Sequence, residues 1–346
     1  MSYQSLLERG LLPDALVRRE IRGLLRRRLA EERASDAEEA LAREERLVAG
    51  MRESPVTLPP AEASVPHGEV PPEFHGLVLG GERMSTPGHF SEGVSTLDAA
   101  ESAMLALACE RARLEDGQNV LDLGCGWGAL ALRVAERFPG SRVVAVARSR
   151  EEKAFVDSRA AERGLANVKA IACDLNAFDP ATGPAFDRVV SVGTFEQVRN
   201  WPELLARIAS WLKPEGRLFL QVRAHRELSY PFVARDEAPW LARSLFDGGL
   251  MPSDHLLLRF PEHLLVEARW RIGGTHAART AVAWLANLDR NRREARKVLA
   301  KAYGPGVARR KLAEWRNFLL ASAELGAFAG GNEWLVSQYR LRRRYA

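Results

Sequence analysis

The sequence is poor in cysteine and has no long apolar segment. Its 346 residues include three cysteines, Cys109, Cys125 and Cys173, whose wide spacing matches no paired metal-ligand pattern. We therefore expect no metal site and no disulfide framework, as is typical of the reducing cytoplasm. Apolar runs such as RLFLQV fall far short of the ~20 residues that a membrane helix needs. The opening MSYQSLLERG lacks the basic-then-apolar layout of a secretory signal, so we expect neither secretion nor an integral membrane protein.

No charge of one sign dominates either. Lysine and arginine together number 50 against 45 aspartates and glutamates, a formal net charge of +5. Arginines concentrate in VRREIRGLLRRRL and in RLRRRYA, but no nucleic-acid reading motif accompanies them, so we expect no nucleic-acid partner. A basic amphipathic helix can also lie on a membrane surface, although packing against a main domain is the plainer interpretation. The composition leaves a monomer and a homodimer both open.

The length predicts a main domain with smaller additions. Helical spacing of apolar residues predicts a helical N-terminal extension over residues 1–50, and the stretch SPVTLPPAEASVPHGEVPP predicts a proline-rich linker within 51–75. The other predicted parts are an α/β core over 76–225, cap helices with an additional strand over 226–333, and a last strand with a basic tail over 334–346.

Short apolar segments alternate with helical ones in the core. NVLDL, RVVAVAR, VKAIACD, FDRVVSV and RLFLQV predict strands, and ALALRVAERF and WPELLARIASWLKPEG are among the helical patterns between them. This alternation predicts an α/β fold with a parallel, doubly wound sheet. Two later stretches, HLLVEARWRI and EWLVSQYRLR, predict further edge strands, with a helical block over about 280–328 between them.

A glycine turn follows the first predicted strand, in VLDLGCGWGA. Gly124 and Gly126 let the backbone bend sharply and approach a ligand where a side chain would clash. Together with Ala129 they also fit the spacing of dinucleotide sites, and Arg148 near the end of the second strand suits a phosphorylated ribose. A turn that serves packing alone is the remaining alternative. Taken by itself, the motif is ambiguous.

Three features favour S-adenosylmethionine over a nicotinamide cofactor. Asp122, two residues before the first glycine, is suited to reach the ammonium group of S-adenosylmethionine. Asp174 follows the third strand, where it can accept a hydrogen bond from an adenine amino group. No acidic residue ends the second strand to hold a ribose diol, as dinucleotide sites require. These features favour S-adenosylmethionine, and the prediction of this cofactor rests also on the resemblance described next.

Longer segments resemble the cyclopropane fatty acid synthase superfamily of S-adenosylmethionine-dependent methyltransferases. Within it the chain is most similar to the coclaurine N-methyltransferase group, which methylates benzylisoquinoline amines in plants. The resemblance is carried by LLPDALVRREIRGLLRRRL, STLDAAESAMLALACERARLEDGQNVLDLGCGWGAL, GGLMPSDHLLL, WRNFLLASAEL and GGNEWLVSQY. It implies a Rossmann-like class I methyltransferase, with a doubly wound seven-stranded sheet, a helical N-terminal extension and a helical cap.

The resemblance also implies which residues bind the cofactor. The positions in the matching motifs are Asp122, Gly124, Cys125, Gly126, Asp174 and Leu175. Thr86 falls where the family places a serine near the methionine moiety. Arg148 and Glu152 stand where the family usually has an amide or hydroxyl pair, so the predicted ribose contacts depart from the family pattern.

Lipid cyclopropanation is disfavoured by further departures. In the family, that reaction is associated with a bicarbonate held by a cysteine segment, a glutamate, a histidine and a tyrosine. The corresponding positions here are Pro87, Glu196, Gln221 and Ala277, so that only the glutamate is retained. Glutamine cannot accept a proton from a carbocation, and alanine offers no polar group. A later family cysteine is Ser322 here.

The amine branch fits better, with a motif of glutamate, two residues, glutamate and histidine. This chain has Gly193, Glu196 and Gln197 at those three positions. We predict that Glu196 orients the acceptor amine and accepts its proton or balances the new ammonium. The alternative is that Glu196 caps the following helix. Gln197 is the second predicted catalytic position, although an amide can donate and accept hydrogen bonds but cannot act as a base.

The predicted function is S-adenosylmethionine-dependent N-methylation of a small, cyclic or aromatic amine. A catalytically weakened or non-catalytic cofactor-binding homologue, and an O- or C-methyltransferase of a small natural product, are the alternatives. His89 and His225 are other imidazoles near the predicted pocket, for which a structural role is preferred. Aromatic residues of the helical block suit a cationic product, although at this spacing they more often form core. They are Trp284, Trp315, Phe318, Phe328 and Trp334.

Overall fold

The computed structural model describes residues 6–7, 10–58, 70–180, 186–232 and 249–345. Much of the predicted proline-rich linker, residues 59–69, therefore lies outside the described residues. Within those ranges, no helix combines the length and apolar character that a membrane crossing demands. The same ranges contain no group of three or more His, Cys, Asp or Glu side chains arranged to hold a metal ion.

Within the described residues, seven strands form one sheet. They are β1 Asn119–Leu123, β2 Arg142–Ala147, β3 Val168–Ala172, β4 Phe186–Val192, β5 Leu212–His225, β8 Leu264–Ile272 and β9 Trp334–Arg343. Their order in the sheet is β3-β2-β1-β4-β5-β9-β8. Strands β1 to β5 pair in parallel, whereas β9 runs antiparallel to its neighbours β5 and β8. The predicted α/β, doubly wound, seven-stranded fold is confirmed. The prediction that both late strands lie at an edge is wrong for β9, because it lies between β5 and β8. Two short strands, β6 Tyr230–Pro231 and β7 Leu250–Met251, form a separate antiparallel pair.

Helices precede the sheet, connect its parallel strands and cover one end of it. Within the described residues they are α1 Asp14–Glu32, α2 Ala37–Glu53, α3 Pro72–Val78, α4 Leu97–Arg111, α5 Ala129–Arg137, α6 Arg150–Glu162, α7 Trp201–Trp211, α8 Gly274–Arg290, α9 Arg292–Tyr303 and α10 Pro305–Ala327. The predicted helical block between the two late strands corresponds to α8, α9 and α10.

The helix boundaries follow from local chemistry. Helix α6 begins at a capping box. The Ser149 hydroxyl accepts a hydrogen bond from the Glu152 backbone N–H, and the Glu152 carboxylate accepts one from the Ser149 backbone N–H. Gly164, just beyond its end, has a φ of +66°, which suits glycine at that position. Helix α7 begins at Asn200, whose Oδ1 accepts from the Glu203 backbone N–H at 2.9 Å. These caps satisfy backbone donors that the first helical turn leaves unpaired.

Helix α7 ends earlier than the sequence pattern predicts. The glycine stop at Gly216 predicts a helix that runs close to it, but α7 ends at Trp211 and Leu212 already pairs with Phe186 of β4. Pro214 cannot continue a helix and disfavours helical backbone at Lys213, so the chain leaves α7 and pairs with the sheet. The consequence is a long β5 that carries polar side chains as far as the carboxyl end of the parallel strands.

The two faces of the sheet bury separate cores, and a third core lies in the cap. One face packs Leu218, Leu220 and Val222 of β5 among the residues of α7. The opposite face packs Phe219 with Met104 of α4 and residues of α5. The third core joins α1, α3 and the cap helices around several tryptophans. This third core covers the carboxyl ends of the parallel strands, where open α/β sheets bind their ligands.

Candidate active site

The glycine turn after β1 meets the segment after β4. Strands β1 and β4 are neighbours in the sheet but not in sequence, which marks the point where the strand order reverses. Gly124 has a φ of +82°, and a Cβ added there would lie 2.1 Å from the Thr194 Oγ1. The Thr194 hydroxyl donates to the Gly124 carbonyl at 3.3 Å. Glycine at this position is therefore required both by conformation and by close approach.

A third segment, the loop over residues 80–96, reaches the same point. Gly193 also has a positive φ, and a Cβ there would lie 2.4 Å from the Thr86 Cγ2. The loop is fixed where the Gly88 backbone N–H donates to the Thr280 hydroxyl at 3.0 Å. Thr86 is predicted to lie near the methionine moiety of the cofactor. It lies beside Gly193, which follows β4 and is close to the glycine turn after β1.

Three buried side-chain oxygens surround this junction without a hydrogen-bond partner among the described residues. They are the Asp122 Oδ2, the Thr86 Oγ1 and the Glu196 Oε2. The side chains of Asp122 and Glu196 are buried, at 2% and 5% exposure. A buried polar group without a partner costs free energy, so such atoms mark a place where a ligand supplies the missing donors.

The buried carboxyl group of Asp122 is suited to bind a cation. Burial penalises its charged form and raises its pKa to about 7, although a hydrogen bond from the Ala131 backbone opposes the shift. An ammonium group beside Oδ2 would restore the carboxylate form and satisfy the unpaired oxygen. The amino-acid ammonium of S-adenosylmethionine fits this requirement.

Asp174 lies at the carboxyl end of β3 and is already oriented. Its Oδ1 accepts from the Thr57 hydroxyl at 3.2 Å and from the Asn176 backbone N–H at 2.9 Å. Thr57 comes from the segment after α2, 117 residues away in sequence. Neither partner was singled out by the sequence motifs. Leu175, the next predicted contact, packs against the core on the α7 face.

Arg148 follows β2 and Glu152 lies in the first turn of α6, the positions for which the sequence predicts ribose contacts. The Glu152 Oε2 accepts from the Arg148 backbone N–H at 2.9 Å as part of the cap of α6. The Arg148 guanidinium instead donates to the Gln197 Oε1 at 2.9 Å. One oxygen of the Glu152 carboxylate is thus used at the start of α6, and the ribose contacts of the two residues stay a prediction.

Glu196 lies in the 3₁₀ turn Phe195–Gln197, directly after β4. Its Oε1 accepts from the Arg223 backbone N–H of β5 at 2.7 Å. The alternative that Glu196 caps α7 is wrong, because Asn200 caps that helix. Burial raises the pKa of Glu196 above its usual range, while the Arg223 backbone bond opposes the shift. Arg223 is a site neighbour that the motifs missed, although strand alternation places it on the same face as Gln221.

Gln221 is tied into the sheet. Its Oε1 accepts from the Gln338 Nε2 at 2.5 Å, and Gln338 in turn accepts from the Arg111 guanidinium. The amide chain crosses from β5 to β9 on the α4 side. The position at which the lipid enzymes have a histidine is thus filled by a hydrogen-bonded structural amide.

The other singled-out side chains are mainly structural. The His225 Nδ1 accepts from the backbone N–H groups of Glu227 and Leu228, at 3.0 and 2.8 Å. His89 stacks on His276 with ring centroids 4.8 Å apart. Burial raises the pKa of the Cys125 thiol well above its usual value, so this turn residue does not act as a nucleophile. The predicted aromatic residues that belong to the buried third core are Trp284, Trp315, Phe318 and Trp334.

One aromatic from the glycine turn joins the cap core. The Trp127 ring lies 5.0 Å from that of His75 in α3 and 5.3 Å from that of Phe155 in α6. The His75 ring lies 5.7 Å from that of Trp315 in α10. The third core therefore extends without interruption from the cap helices to the glycine turn.

Known proteins share this arrangement. Residues 58–328 match the mycolic acid cyclopropane synthetase family. The chain is 33% identical to the (S)-coclaurine N-methyltransferase of Thalictrum flavum subsp. glaucum, over 98% of this chain and 94% of that one, and 32% identical to that of Papaver somniferum, over 98% and 97%. A crystal structure of coclaurine N-methyltransferase bound to N-methylheliamine and S-adenosylhomocysteine aligns with a TM-score of 0.93 at 31% identity, covering 98% of each chain. The chain is thus a coclaurine N-methyltransferase-like member of the mycolic acid cyclopropane synthetase family, within the cyclopropane fatty acid synthase superfamily of S-adenosylmethionine-dependent methyltransferases.

Proposed function

We propose that the chain is an S-adenosylmethionine-dependent N-methyltransferase of a small amine, cyclic or aromatic. The observation that carries the proposal is the group of three unpaired, buried oxygens on Asp122, Thr86 and Glu196 at the sheet's reversal point. Two of them belong to carboxylates, which suits a cationic cofactor and an amine acceptor side by side. The similar crystal structure with N-methylheliamine and S-adenosylhomocysteine supports the same pairing of ligands.

The residues present fit the cofactor. Asp122 would hold its ammonium group, Thr86 its methionine portion and Asp174 its adenine amino group, while Gly124 and Gly126 allow the backbone to approach. When bound, S-adenosylmethionine supplies a methyl group on a sulfonium, which makes that methyl electrophilic. The protein's main contribution is then to hold the acceptor in line, which can be worth several kcal/mol.

Glu196 is suited to receive the acceptor. Its Oε1 is fixed by the Arg223 backbone N–H, which leaves Oε2 to accept from the amine. A carboxylate at its ordinary pKa of about 4.3 is a poor base for an ammonium. Burial raises the pKa of Glu196, so that this one group can take the proton without help from a neighbouring imidazole.

The remaining expectations are part of the proposal. A reducing, cytoplasmic location agrees with three unpaired thiols in the described residues.

The division into an extension at 1–50, a linker at 51–75, a core at 76–225, a cap at 226–333 and a final strand is testable by limited proteolysis. Sedimentation of the purified chain separates a monomer from a homodimer.

A labelled-methyl screen against a panel of secondary and tertiary amines, with phenols and lipids included, tests the activity. We expect methyl incorporation into amines alone. Glu196→Gln should lower kcat by a factor of about 100 or more, because a positioned proton acceptor contributes on that order, while the affinity for S-adenosylhomocysteine stays within about twofold.

The exposed Glu203 of α7 offers a matched control. Glu203→Gln should leave both quantities unchanged. Incorporation into phenols would favour the O-methyltransferase alternative. Cofactor binding without transfer to any acceptor would favour the non-catalytic homologue.

A further inference from the structure

Glu196 and Gln197 are adjacent in one 3₁₀ turn, yet their side chains contact different strands. Glu196 accepts from Arg223 on β5, at 2.7 Å. Gln197 accepts from the Arg148 guanidinium, which follows β2, at 2.9 Å. In the sheet order β2-β1-β4-β5, these partners lie on opposite sides of β4. The amide of Gln197 therefore points towards β2, whereas the carboxylate of Glu196 points towards β5.

The Arg148–Gln197 hydrogen bond crosses the carboxyl end of β1. Strand β1 lies between β2 and β4, and the glycine turn begins where it ends. Both ends of this bridge are anchored. The Glu152 carboxylate holds the Arg148 backbone N–H at 2.9 Å, and the Gln197 backbone N–H donates to the Thr194 carbonyl at 2.9 Å. Asp174, the predicted adenine contact, ends β3, the next strand beyond β2.

This contact explains the choice of an amide at position 197. An arginine stays charged at any physiological pH, so a protonated imidazole opposite Arg148 would be repelled. A carboxamide oxygen accepts from the guanidinium without titrating, and its Nε2 keeps two N–H groups for a ligand hydroxyl or carboxylate. Glutamine thus suits a fixed cross-cleft contact better than it suits proton transfer.

We propose that Gln197 is a positioning residue for the cofactor. Its hydrogen bond with Arg148 bridges the cleft on the side that holds the adenosyl group of the cofactor, and Gln197 takes no part in proton transfer. This inference rests on the proposed function, since it requires S-adenosylmethionine in the cleft. It replaces the sequence-based assignment of Gln197 to catalysis.

Calorimetry with S-adenosylhomocysteine tests the bridge without any turnover. Gln197→Ala and Arg148→Ala should each raise the Kd about fivefold, the usual net loss for one hydrogen bond that is exposed to solvent. The double variant should bind no more weakly than either single variant, because both remove the same contact. Arg150, which is also exposed and two residues further along, is the matched control, and Arg150→Ala should leave the Kd unchanged.

Kinetics separate positioning from proton transfer. Gln197→Ala should raise the KM for S-adenosylmethionine by a similar factor, keep kcat within about twofold and leave the pH dependence of kcat unchanged. Gln197→Glu retains an oxygen acceptor for Arg148, so its Kd for S-adenosylhomocysteine should equal that of the natural chain. Gln197→His should give no gain in rate near neutral pH.

Two results would overturn the bridge while leaving the proposed function intact. One is a fall in kcat with a shifted pH profile and an unchanged Kd in Gln197→Ala. The other is an additive loss, about 25-fold, in the double variant, which means that the two side chains act independently. If the natural chain does not bind S-adenosylhomocysteine at all, the proposed function and the bridge both fail.

Discussion

At the scale of single residues, the site contains two carboxylates that are buried from water, and one oxygen of each has no hydrogen-bond partner among the described residues. Asp122 and Glu196 are both buried, both have a raised pKa and both keep one unpaired oxygen. Such residues weaken the unliganded protein and strengthen the liganded one, because the ligand supplies what the fold omits. The pH dependence of binding should reveal this directly.

We expect the affinity for S-adenosylhomocysteine to rise as the pH increases from 6 to 8. In the unliganded protein the pKa of Asp122 is about 7, so the carboxyl group is mainly neutral at pH 6 and mainly charged at pH 8. Only the charged form attracts the ligand's ammonium, so the Kd should fall by about tenfold across this range.

Calorimetry at three pH values measures the effect. Asp122→Asn should bind weakly with little pH dependence, whereas the exposed Asp157→Asn should behave as the natural chain does. An affinity that is flat with pH in the natural chain would contradict the assignment of the ammonium to Asp122.

Some of these residues could be predicted from the sequence and others could not. Asp122, Gly124 and Glu196 lie at the ends of strands beside a glycine turn, a position that local pattern reveals. Thr57 and Arg223 contact the site through partners 117 and 27 residues away, and no local pattern encodes such contacts. The direction of the Gln197 side chain also depends on a residue that is distant in sequence, Arg148, and no local pattern reveals that contact.

At the scale of elements, the loop over residues 80–96 connects the cap with the cofactor turn. One buried carboxylate holds its start: the Glu101 Oε1 and Oε2 accept from the backbone N–H groups of Gly80 and Glu82, at 3.2 and 3.1 Å. Glu101 is fully buried, and burial raises its pKa to about 7 despite these bonds. The anchor of the loop is therefore a titrating group.

The stability contributed by Glu101 should fall as the pH rises. Its folded pKa of about 7 exceeds the unfolded value of 4.5, so its contribution is complete below pH 4.5 and is lost as the pH rises through 7. The difference is on the order of 3 kcal/mol. Glu101→Gln should remove this part of the pH dependence in thermal unfolding between pH 5 and 8.

Glu110, exposed on the same helix α4, gives the control, since Glu110→Gln should follow the natural profile. Parallel profiles for Glu101→Gln and the natural chain would show that the carboxyl group does not titrate with unfolding.

At the scale of the whole molecule, the N-terminal helix is joined to the cap by ion pairs. Arg18 and Arg22 of α1 donate to the two oxygens of Glu324 on α10, at 2.6 and 2.5 Å. Arg316 of the same helix binds Asp14 and Asp289. The apolar pattern of α1 predicted a packed helix, but its partner could be found only from the fold.

Removing the shared acceptor should loosen α1. Glu324→Gln leaves two arginines with one neutral oxygen, so we expect Tm to fall by about 2–5 °C and trypsin to cleave faster within residues 14–32. The affinity for S-adenosylhomocysteine should stay within about twofold. Glu314→Gln, on the same helix but in a more exposed pair, should change neither quantity. Unchanged cleavage in Glu324→Gln would mean that apolar packing alone holds the extension.

The position of β9 has a consequence for how the molecule is made. A ribosome releases β8 about 60 residues before β9, yet β8 joins the sheet through β9. Until β9 emerges, β8 has no strand to pair with and the edge of β5 stays open, so both are exposed to pairing with other chains. The end of β5 also supplies the backbone donor to Glu196. A nascent chain therefore has its cofactor turn and both residues of the Glu196–Arg223 contact before β9 closes the sheet, and this interval is when a chaperone would matter most.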